Sequence, residues 1–203
     1  MKKAILVHGK PSRENYEDPS SHSASNAMWF PWLQKQLTLR DISTQTPEML
    51  RSYQPDYRIW RETFEQFMID KSTILLGHSC GAGFLVQWLS EHSDVEVGDV
   101  YLVGPAFGDR YNPETPYEDP LLGGFFDFKI DSSLIDRVDS LNILYSDNDS
   151  VRVETAVSML KDALPGANYH LFKGYGHFRG KLDMDSDTFP ELLAMIDSRL
   201  ESS

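Results

Sequence analysis

Cysteine, basic residues and long apolar runs are all scarce in this sequence of 203 residues. Its one cysteine, Cys80, excludes an intramolecular disulfide framework and the paired cysteines of structural zinc sites. Lys and Arg number 19 against 31 Asp and Glu, and the net charge of -12 disfavours nucleic acid and anionic membranes as partners. No apolar run approaches the roughly 18 residues of a membrane span, and residues 4–7 are too few for a signal-peptide core. The sequence therefore predicts a cytoplasmic protein.

The remaining composition is that of a packed domain. Hydrophobic residues make up 40% of the chain and aromatic residues 12%, enough for a sizeable core in a single domain spanning residues 1–203. Strands are predicted at residues 4–7, 42–46, 74–76, 100–103, 141–145 and 169–172, and helices around residues 28–37, 60–68, 82–89, 156–164 and 188–200. This alternation predicts a three-layer α/β fold, with a mostly parallel six-stranded sheet and helices on both faces.

The segment Gly-His-Ser-Cys-Gly at residues 77–81 stands between a predicted strand and a predicted helix. In this context the G-x-S-x-G pattern is typical of a nucleophile elbow, a sharp turn that exposes a serine hydroxyl above the sheet. The start of the following helix favours negative charge that develops beside the serine. Ser79 is therefore the predicted nucleophile. The alternative is a turn of small residues that packs the helix against the strand.

A serine hydroxyl needs a base that removes its proton, and the base needs a carboxylate that orients it. Downstream of Ser79 the chain has His92, His170 and His177. His92 is expected to be a solvated residue at the outer end of a helix, and His170 lies within the sixth predicted strand. His177 follows that strand directly, where functional side chains gather in parallel sheets. His177 is therefore the predicted base, with an ordinary loop histidine as the alternative.

Two aspartates follow the fifth predicted strand, in the segment Ser-Asp-Asn-Asp-Ser-Val at residues 146–151. Asp149 is favoured as the acid because it stands two residues before Val151, an apolar position that anchors the next helix. Asp147 is then a turn former, and it remains the competing candidate. The segment lacks the glycine and the closing glutamate of a calcium loop, so it predicts no metal site.

An acyl-transfer site also needs main-chain donors for the oxyanion. The predicted donors are the N–H of Cys80, directly after the nucleophile, and the N–H of Lys10, in the loop after the first strand. Gly9 allows close approach in that loop, and His8, Gly9 and His78 are predicted to contact the substrate. The alternative for His8 and Gly9 is a turn that only ends the strand.

The segment at about residues 105–130 is too long and too aromatic for a plain connection between strands. It is predicted to form a cap-like insertion over the acyl pocket, with Phe107 and Phe125 contacting the substrate. The alternative is a surface excursion that packs its own aromatic side chains. Acidic residues outnumber basic ones by ten to three in residues 109–149, so a strongly anionic substrate is disfavoured.

Five short motifs carry a likeness to a known family. They are Val-His-Gly at residues 7–9, Trp-Phe-Pro-Trp-Leu at 29–33, the elbow at 77–81, residues 146–151 and Gly-His-Phe at 176–178. In order and spacing they resemble the small single-domain serine hydrolases related to retinoblastoma-binding protein 9, within the α/β-hydrolase superfamily. The resemblance implies a compact α/β-hydrolase fold, with Ser79 as nucleophile, Asp149 as acid, His177 as base, and no metal or organic cofactor. The sequence departs from that family in a longer loop at residues 10–27 and in the small Cys80 after the nucleophile.

Together these residues predict a serine hydrolase of the carboxylesterase type, which cleaves a small-molecule ester through a covalent acyl-enzyme. The alternative is a catalytically silent protein of the same fold that keeps the pocket as a binding or scaffold site. No triad member is missing, which disfavours this alternative. The Leu-x-Cys-x-Glu motif of retinoblastoma binding is absent, since His78 and Ala82 occupy the positions two residues from Cys80. The sequence also lacks the clustered ligands of a metallohydrolase.

Overall fold

The computed structural model describes residues 1–107, 125, 126 and 128–202. Its strands are Lys3–Val7 (β1), Ser43–Gln45 (β2), Thr73–His78 (β3), Val97–Val103 (β4), Val138–Ser146 (β5) and Asn168–Phe172 (β6). Its α-helices are Arg13–Glu17 (α1), Phe30–Thr38 (α2), Tyr57–Phe64 (α3), Cys80–Glu91 (α4), Val151–Ala163 (α5) and Pro190–Glu201 (α6). Within these described ranges, no helix has the length and apolar character needed to cross a membrane.

The six strands lie in one sheet in the order β2-β1-β3-β4-β5-β6, and every pair of neighbours is parallel. The chain first moves from β1 to the edge strand β2 and then crosses to β3 on the other side of β1. The connections after β1 and β3 therefore leave the same edge of the sheet in different directions. Open α/β sheets place their ligand sites at such a point, outside the carboxyl ends of the strands.

The alternation of side chains along each strand divides the core between the two faces of the sheet. Ile5 and Val7 of β1 belong to the core shared with α3, α4 and α5. Ala4 and Leu6 of the same strand belong to the core shared with α2 and α6. The predicted three-layer fold, a parallel six-stranded sheet with helices on both faces, is thereby confirmed.

Several helix ends differ by a few residues from the ranges predicted, and two of these differences have a local physical cause. The predicted helix at residues 60–68 ends at Phe64, because the Phe67 N–H donates to the Phe64 carbonyl in a turn tighter than an α-helix. Met68 is consequently 77% exposed instead of lying on the buried face of the helix. α6 begins at Pro190, slightly later than predicted, since proline suits the first turn of a helix.

Candidate active site

Ser79 occupies the turn between β3 and α4 in a backbone conformation that non-glycine residues rarely adopt. Its φ is 56° and its ψ is -122°, which lies in a strained region of backbone space. The Ser79 N–H donates to the Val103 carbonyl at 2.9 Å, and the Ser79 carbonyl accepts the Ala106 N–H at 3.2 Å. This is the turn geometry expected of a nucleophile elbow.

The two glycines of the elbow occupy positions that have no room for a side chain. A Cβ atom at Gly77 would lie 2.6 Å from the Cα of Ala82, in the first turn of α4. A Cβ atom at Gly81 would overlap the carbonyl oxygen of Val7 at the end of β1. The close packing of β1, β3 and α4 around Ser79 therefore requires glycine at both positions.

Three side chains from three loops meet beside the elbow. His177 Nε2 lies 2.8 Å from Ser79 Oγ, and His177 Nδ1 lies 2.9 Å and 3.0 Å from the two carboxylate oxygens of Asp149. The Asp149 side chain is 1% exposed and that of His177 is 24% exposed, so the carboxylate is enclosed while the imidazole remains accessible. When Nδ1–H donates to Asp149, Nε2 is available to accept the proton of Ser79. The loops after β3, β5 and β6 carry these residues, and parallel topology brings all three loops to one edge of the sheet.

Gly104, directly after β4, leaves space for the contact between Asp149 and His177. Its φ is +51°, a conformation that favours glycine. A Cβ atom there would lie 3.3 Å from His177 Nδ1 and 3.4 Å from Asp149 Oδ2. A larger residue would thus strain the backbone and crowd the pair at the same time.

The two competing aspartates make different contacts. Asp147 Oδ1 accepts the Gly174 N–H at 2.8 Å, whereas Asp149 contacts the imidazole of His177. Asn148 Oδ1 accepts another N–H of the same loop, also at 2.8 Å. The geometry therefore favours Asp149 as the acid. The bonds from Asp147 and Asn148 also attach the loop after β5 to the loop of His177.

The other two downstream histidines lie away from the elbow. His170 lies in β6, as predicted, where its Nε2 is 3.2 Å from Asn142 Oδ1 and burial lowers its pKa. His92 was expected to be solvated, but it is half-buried. Its ring stacks on Trp88 with centroids 4.3 Å apart. Its Nε2 also lies 3.2 Å from Glu65 Oε1. Among the residues that the structure describes, no group of three His, Cys, Asp or Glu side chains is arranged to hold a metal ion.

The two predicted oxyanion donors lie at the start of α4 and in the loop after β1. Cys80 is the first residue of α4, so its N–H has no acceptor within the helix. The Lys10 main chain lies close enough to the Cys80 thiol to lower its pKa, so the loop after β1 approaches the start of α4. Burial raises the pKa of this thiol, more than the nearby charges of Arg152 and Lys10 lower it, so it lacks the thiolate character of a reactive cysteine. Donation by the Lys10 N–H to an oxyanion stays a prediction.

His8, Gly9 and His78 all line the pocket that contains the nucleophile. A Cβ atom on Gly9 would lie 2.8 Å from Ser79 Cβ, so glycine permits the close approach predicted for this loop. His8 is buried, with Nδ1 2.7 Å from the Gly9 carbonyl and Nε2 accepting the Met49 N–H at 2.9 Å. Burial lowers the pKa of His8, so its ring is neutral. Through these two contacts the ring connects the loop after β1 to the segment that carries Met49.

A pocket of about 760 Å³ contains both Ser79 and His177 in its wall. More than half of its described lining residues come from residues 10–28, the long connection after β1. Arg179 and Leu182, which follow His177 along the chain, line another part of it. Sequence reasoning missed these contributions, although the unusual length of the connection after β1 was the available signal.

Phe107 and Phe125, predicted to contact the substrate, are not among the described lining residues of this pocket. They are 1% and 3% exposed, and both belong to the core beside α3, α4 and α5. Phe125 packs against Trp60 with ring centroids 5.0 Å apart. Burial of these large apolar rings is more favourable than their exposure in a solvated pocket. The rest of the predicted cap, residues 108–124 and 127, lies outside the described residues.

Comparison with known proteins gives one family match and several similar structures. A family model described as serine hydrolase matches residues 19–194. The ydeN gene product of B. subtilis has a TM-score of 0.79 at 20% identity, over 99% of this chain and 100% of that chain. Est1E from Butyrivibrio proteoclasticus has a TM-score of 0.59 at 14% identity, over 88% and 80% of the two chains. A pyrethroid hydrolase from Sphingobium faniae JZ-2 has a TM-score of 0.60 at 13% identity, over 100% and 98%.

No curated protein sequence gives a significant match to the chain. At these low identities, the similar structures speak for the fold and not for a substrate. They confirm the α/β-hydrolase fold that the sequence motifs implied.

Proposed function

Because the chain belongs to the serine hydrolase family, we propose that it cleaves small carboxylic esters through a covalent acyl-enzyme formed on Ser79. In this proposal His177 is the base and Asp149 is the acid that orients it. The observation that carries the proposal is the series of hydrogen-bond distances from Ser79 Oγ through His177 to Asp149. A serine hydroxyl in such a series can lose its proton as it attacks, whereas an isolated hydroxyl is a weak nucleophile.

The first half-reaction acylates the enzyme. Ser79 Oγ attacks the carbonyl carbon of the ester while its proton passes to His177 Nε2, and Asp149 stabilises the imidazolium that forms. The tetrahedral oxyanion then accepts hydrogen bonds from the main-chain N–H groups of Cys80 and Lys10. It lies next to the positive end of the α4 dipole. Collapse of this intermediate expels the alcohol, which takes its proton from His177.

The second half-reaction releases the acid. Water attacks the acyl carbonyl and transfers a proton to His177 Nε2, so that a second tetrahedral intermediate forms on Ser79. When this intermediate collapses, the carboxylic acid leaves and Ser79 Oγ regains its proton from the imidazolium. Each residue therefore returns to its starting protonation state.

The size of the pocket supports a small substrate. A volume of about 760 Å³ falls within the roughly 300–1,000 Å³ of pockets that enclose small molecules. Leu182 lines this pocket and is 77% exposed, so its side chain is available for contact with an apolar part of the ester. The apolar area of Leu182 that is removed from water when an ester binds would add to the affinity.

Steady-state hydrolysis of p-nitrophenyl acetate and p-nitrophenyl butyrate tests the proposal. Wild-type protein is expected to hydrolyse at least one of these esters, and Ser79→Ala and His177→Ala are expected to lose at least about 1,000-fold in kcat. Ser90→Ala, at the far end of α4, is the matched control and should keep the wild-type rate. Failure of the wild type to hydrolyse either ester, or full activity of Ser79→Ala, would overturn the proposal. Binding of esters without turnover would favour the silent binding protein instead.

A further inference from the structure

The loop that carries His177 has an unusual backbone conformation. Gly174, Gly176 and Phe178 have φ values of 75°, 50° and 55°, so positive φ angles recur at every second residue. Phe178 is not a glycine, and its conformation persists only where the surroundings enforce it. The position of the His177 imidazole therefore depends on groups outside the loop.

Asp183 holds this loop from one side. Its Oδ2 accepts the N–H of His177 and the N–H of Arg179, each at 3.0 Å. The guanidinium of Arg179 adds two further bonds to the same carboxylate, both at 2.9 Å. The Asp183 side chain is only 7% exposed, and a Cβ atom on Gly176 would lie 2.7 Å from its Cγ. The loop is thus packed closely around the carboxylate.

The Asp183 carboxyl is ionised in this environment. Burial acts to raise its pKa, but the bonds and charge of Arg179 together with the His177 N–H outweigh burial and make the net shift downward. An ionised carboxylate accepts hydrogen bonds more strongly than a neutral acid. Both main-chain bonds are therefore charge-assisted.

His78 holds the same residue from the other side. His78 Nε2 lies 2.8 Å from the His177 carbonyl oxygen, and the two imidazole centroids are 5.1 Å apart. Burial, followed by the proximity of His177, lowers the pKa of His78 to about 3. The ring is therefore neutral, with a proton on Nε2 that it donates to the carbonyl.

We propose that Asp183 is a positioning residue for His177, acting together with His78 to set the imidazole at hydrogen-bond distance from Ser79. One partner holds the N–H of His177 and the other holds its C=O, so the peptide planes on both sides of its Cα are fixed. The direction of the Cα–Cβ bond follows from those planes, and Asp149 then fixes the rotation of the ring. This inference rests on the proposed function, because positioning matters only if His177 acts as a base.

The test compares Asp183→Ala with Asp183→Asn. Asp183→Ala removes both carboxylate oxygens, including the one that accepts the N–H groups of His177 and Arg179. It is expected to lower kcat by about 100-fold with little change in KM, as for a misplaced catalytic group. Asp183→Asn keeps one oxygen that can accept both N–H groups, so it is expected to recover most of the lost rate. Asp187→Ala is the matched control, because Asp187 accepts the Lys181 N–H at 3.0 Å in a similar turn. This control should keep the wild-type kcat.

A measurement that needs no turnover separates positioning from catalysis. The proton between His177 Nδ1 and Asp149 is expected to give a downfield NMR resonance in the wild type, which should broaden or disappear in Asp183→Ala and return in Asp183→Asn. If wild-type protein hydrolyses no ester, the proposed function fails, while this resonance still decides whether Asp183 positions the ring. If Asp183→Ala does not fold, Asp183→Ser replaces it, since the serine hydroxyl is too short to reach both N–H groups.

The proposal is overturned if folded Asp183→Ala keeps both the wild-type kcat and the wild-type resonance. A lower melting temperature with unchanged kcat would likewise mean that Asp183 only stabilises the fold. Equal losses of kcat in Asp183→Ala and Asp183→Asn would also contradict it, because the side-chain oxygen that accepts the two main-chain N–H groups would then be irrelevant.

Discussion

Exchange of the two neighbouring aspartates for asparagine discriminates their roles. Asp149 Oδ1 accepts the Ser150 N–H at 2.6 Å, and Asp149 Oδ2 lies 2.9 Å from His177 Nδ1. In Asp149→Asn the amide oxygen should take the position bonded to Ser150, which places the amide NH2 at the oxygen position that lies nearer to His177 Nδ1. The imidazole must then accept at Nδ1 and carry its proton on Nε2, where it cannot accept the proton of Ser79.

The expected loss follows from this forced tautomer. A wrong tautomer in a serine–histidine–aspartate site lowers kcat by about 10,000-fold, which corresponds to about 5.4 kcal/mol of transition-state stabilisation. Asp147→Asn is the matched control, because its amide oxygen can still accept the Gly174 N–H that Asp147 holds at 2.8 Å. That variant should stay close to the wild-type rate.

Values of kcat and kcat/KM for a short-chain p-nitrophenyl ester, measured on folded variants, provide the assay. Circular dichroism and melting temperature establish that each variant is folded. The reasoning is refuted if Asp149→Asn retains kcat within about tenfold of wild type, or if Asp147→Asn loses as much as Asp149→Asn.

Three further predictions concern packing, protonation and the pocket. Gly81→Ala should lower the free energy of unfolding by about 3 kcal/mol or more, since the added methyl overlaps a carbonyl oxygen, whereas Gly166→Ala should change it by less than about 0.5 kcal/mol in urea unfolding. The pKa of His78 is about 3 in the fold against 6.5 in a free side chain, so the contribution of this residue to stability is full above about pH 6.5 and falls on acidification by about 1.4 kcal/mol per pH unit. Urea unfolding at about pH 6 and pH 5 should show this slope reduced in His78→Gln, and an unchanged slope would contradict it. Leu182→Ser should raise KM for a hexanoate ester roughly fivefold, for about 1 kcal/mol of lost apolar contact, and leave an acetate ester unchanged. Leu171→Ser, at a residue that is 53% exposed on β6, should change neither KM, and equal effects at the two leucines would refute the assignment.

Periodicity and topology together made most of the fold predictable. Apolar runs marked the central strands β1, β3, β4 and β5, and alternation with helices indicated a parallel sheet. That topology in turn placed the loops after β3, β5 and β6 at one edge, so Ser79, Asp149 and His177 could be chosen as partners from chain order alone. The structure brings these three side chains into contact, while their catalytic roles stay a prediction.

Features set by long-range contacts were not predictable from the sequence. Aromatic content suggested that Phe107 and Phe125 line the pocket, but the apolar surroundings of α3 and α4 draw them into the core. The connection after β1 is polar and exposed, so no apolar pattern in the sequence marks it as a pocket wall. It lines the pocket because it starts at the same edge of the sheet as the loop of Ser79. The bond between Asp183 and the His177 N–H likewise has no signature in spacing or residue type.

The most direct test of the central claim is to locate the adduct of a fluorophosphonate probe by mass spectrometry of digested protein. Formation of one covalent adduct on Ser79, absent from Ser79→Ala and much slower in His177→Ala, is the predicted result. The claim is contradicted if the probe leaves Ser79 unmodified, or if it reacts equally with Ser79→Ala.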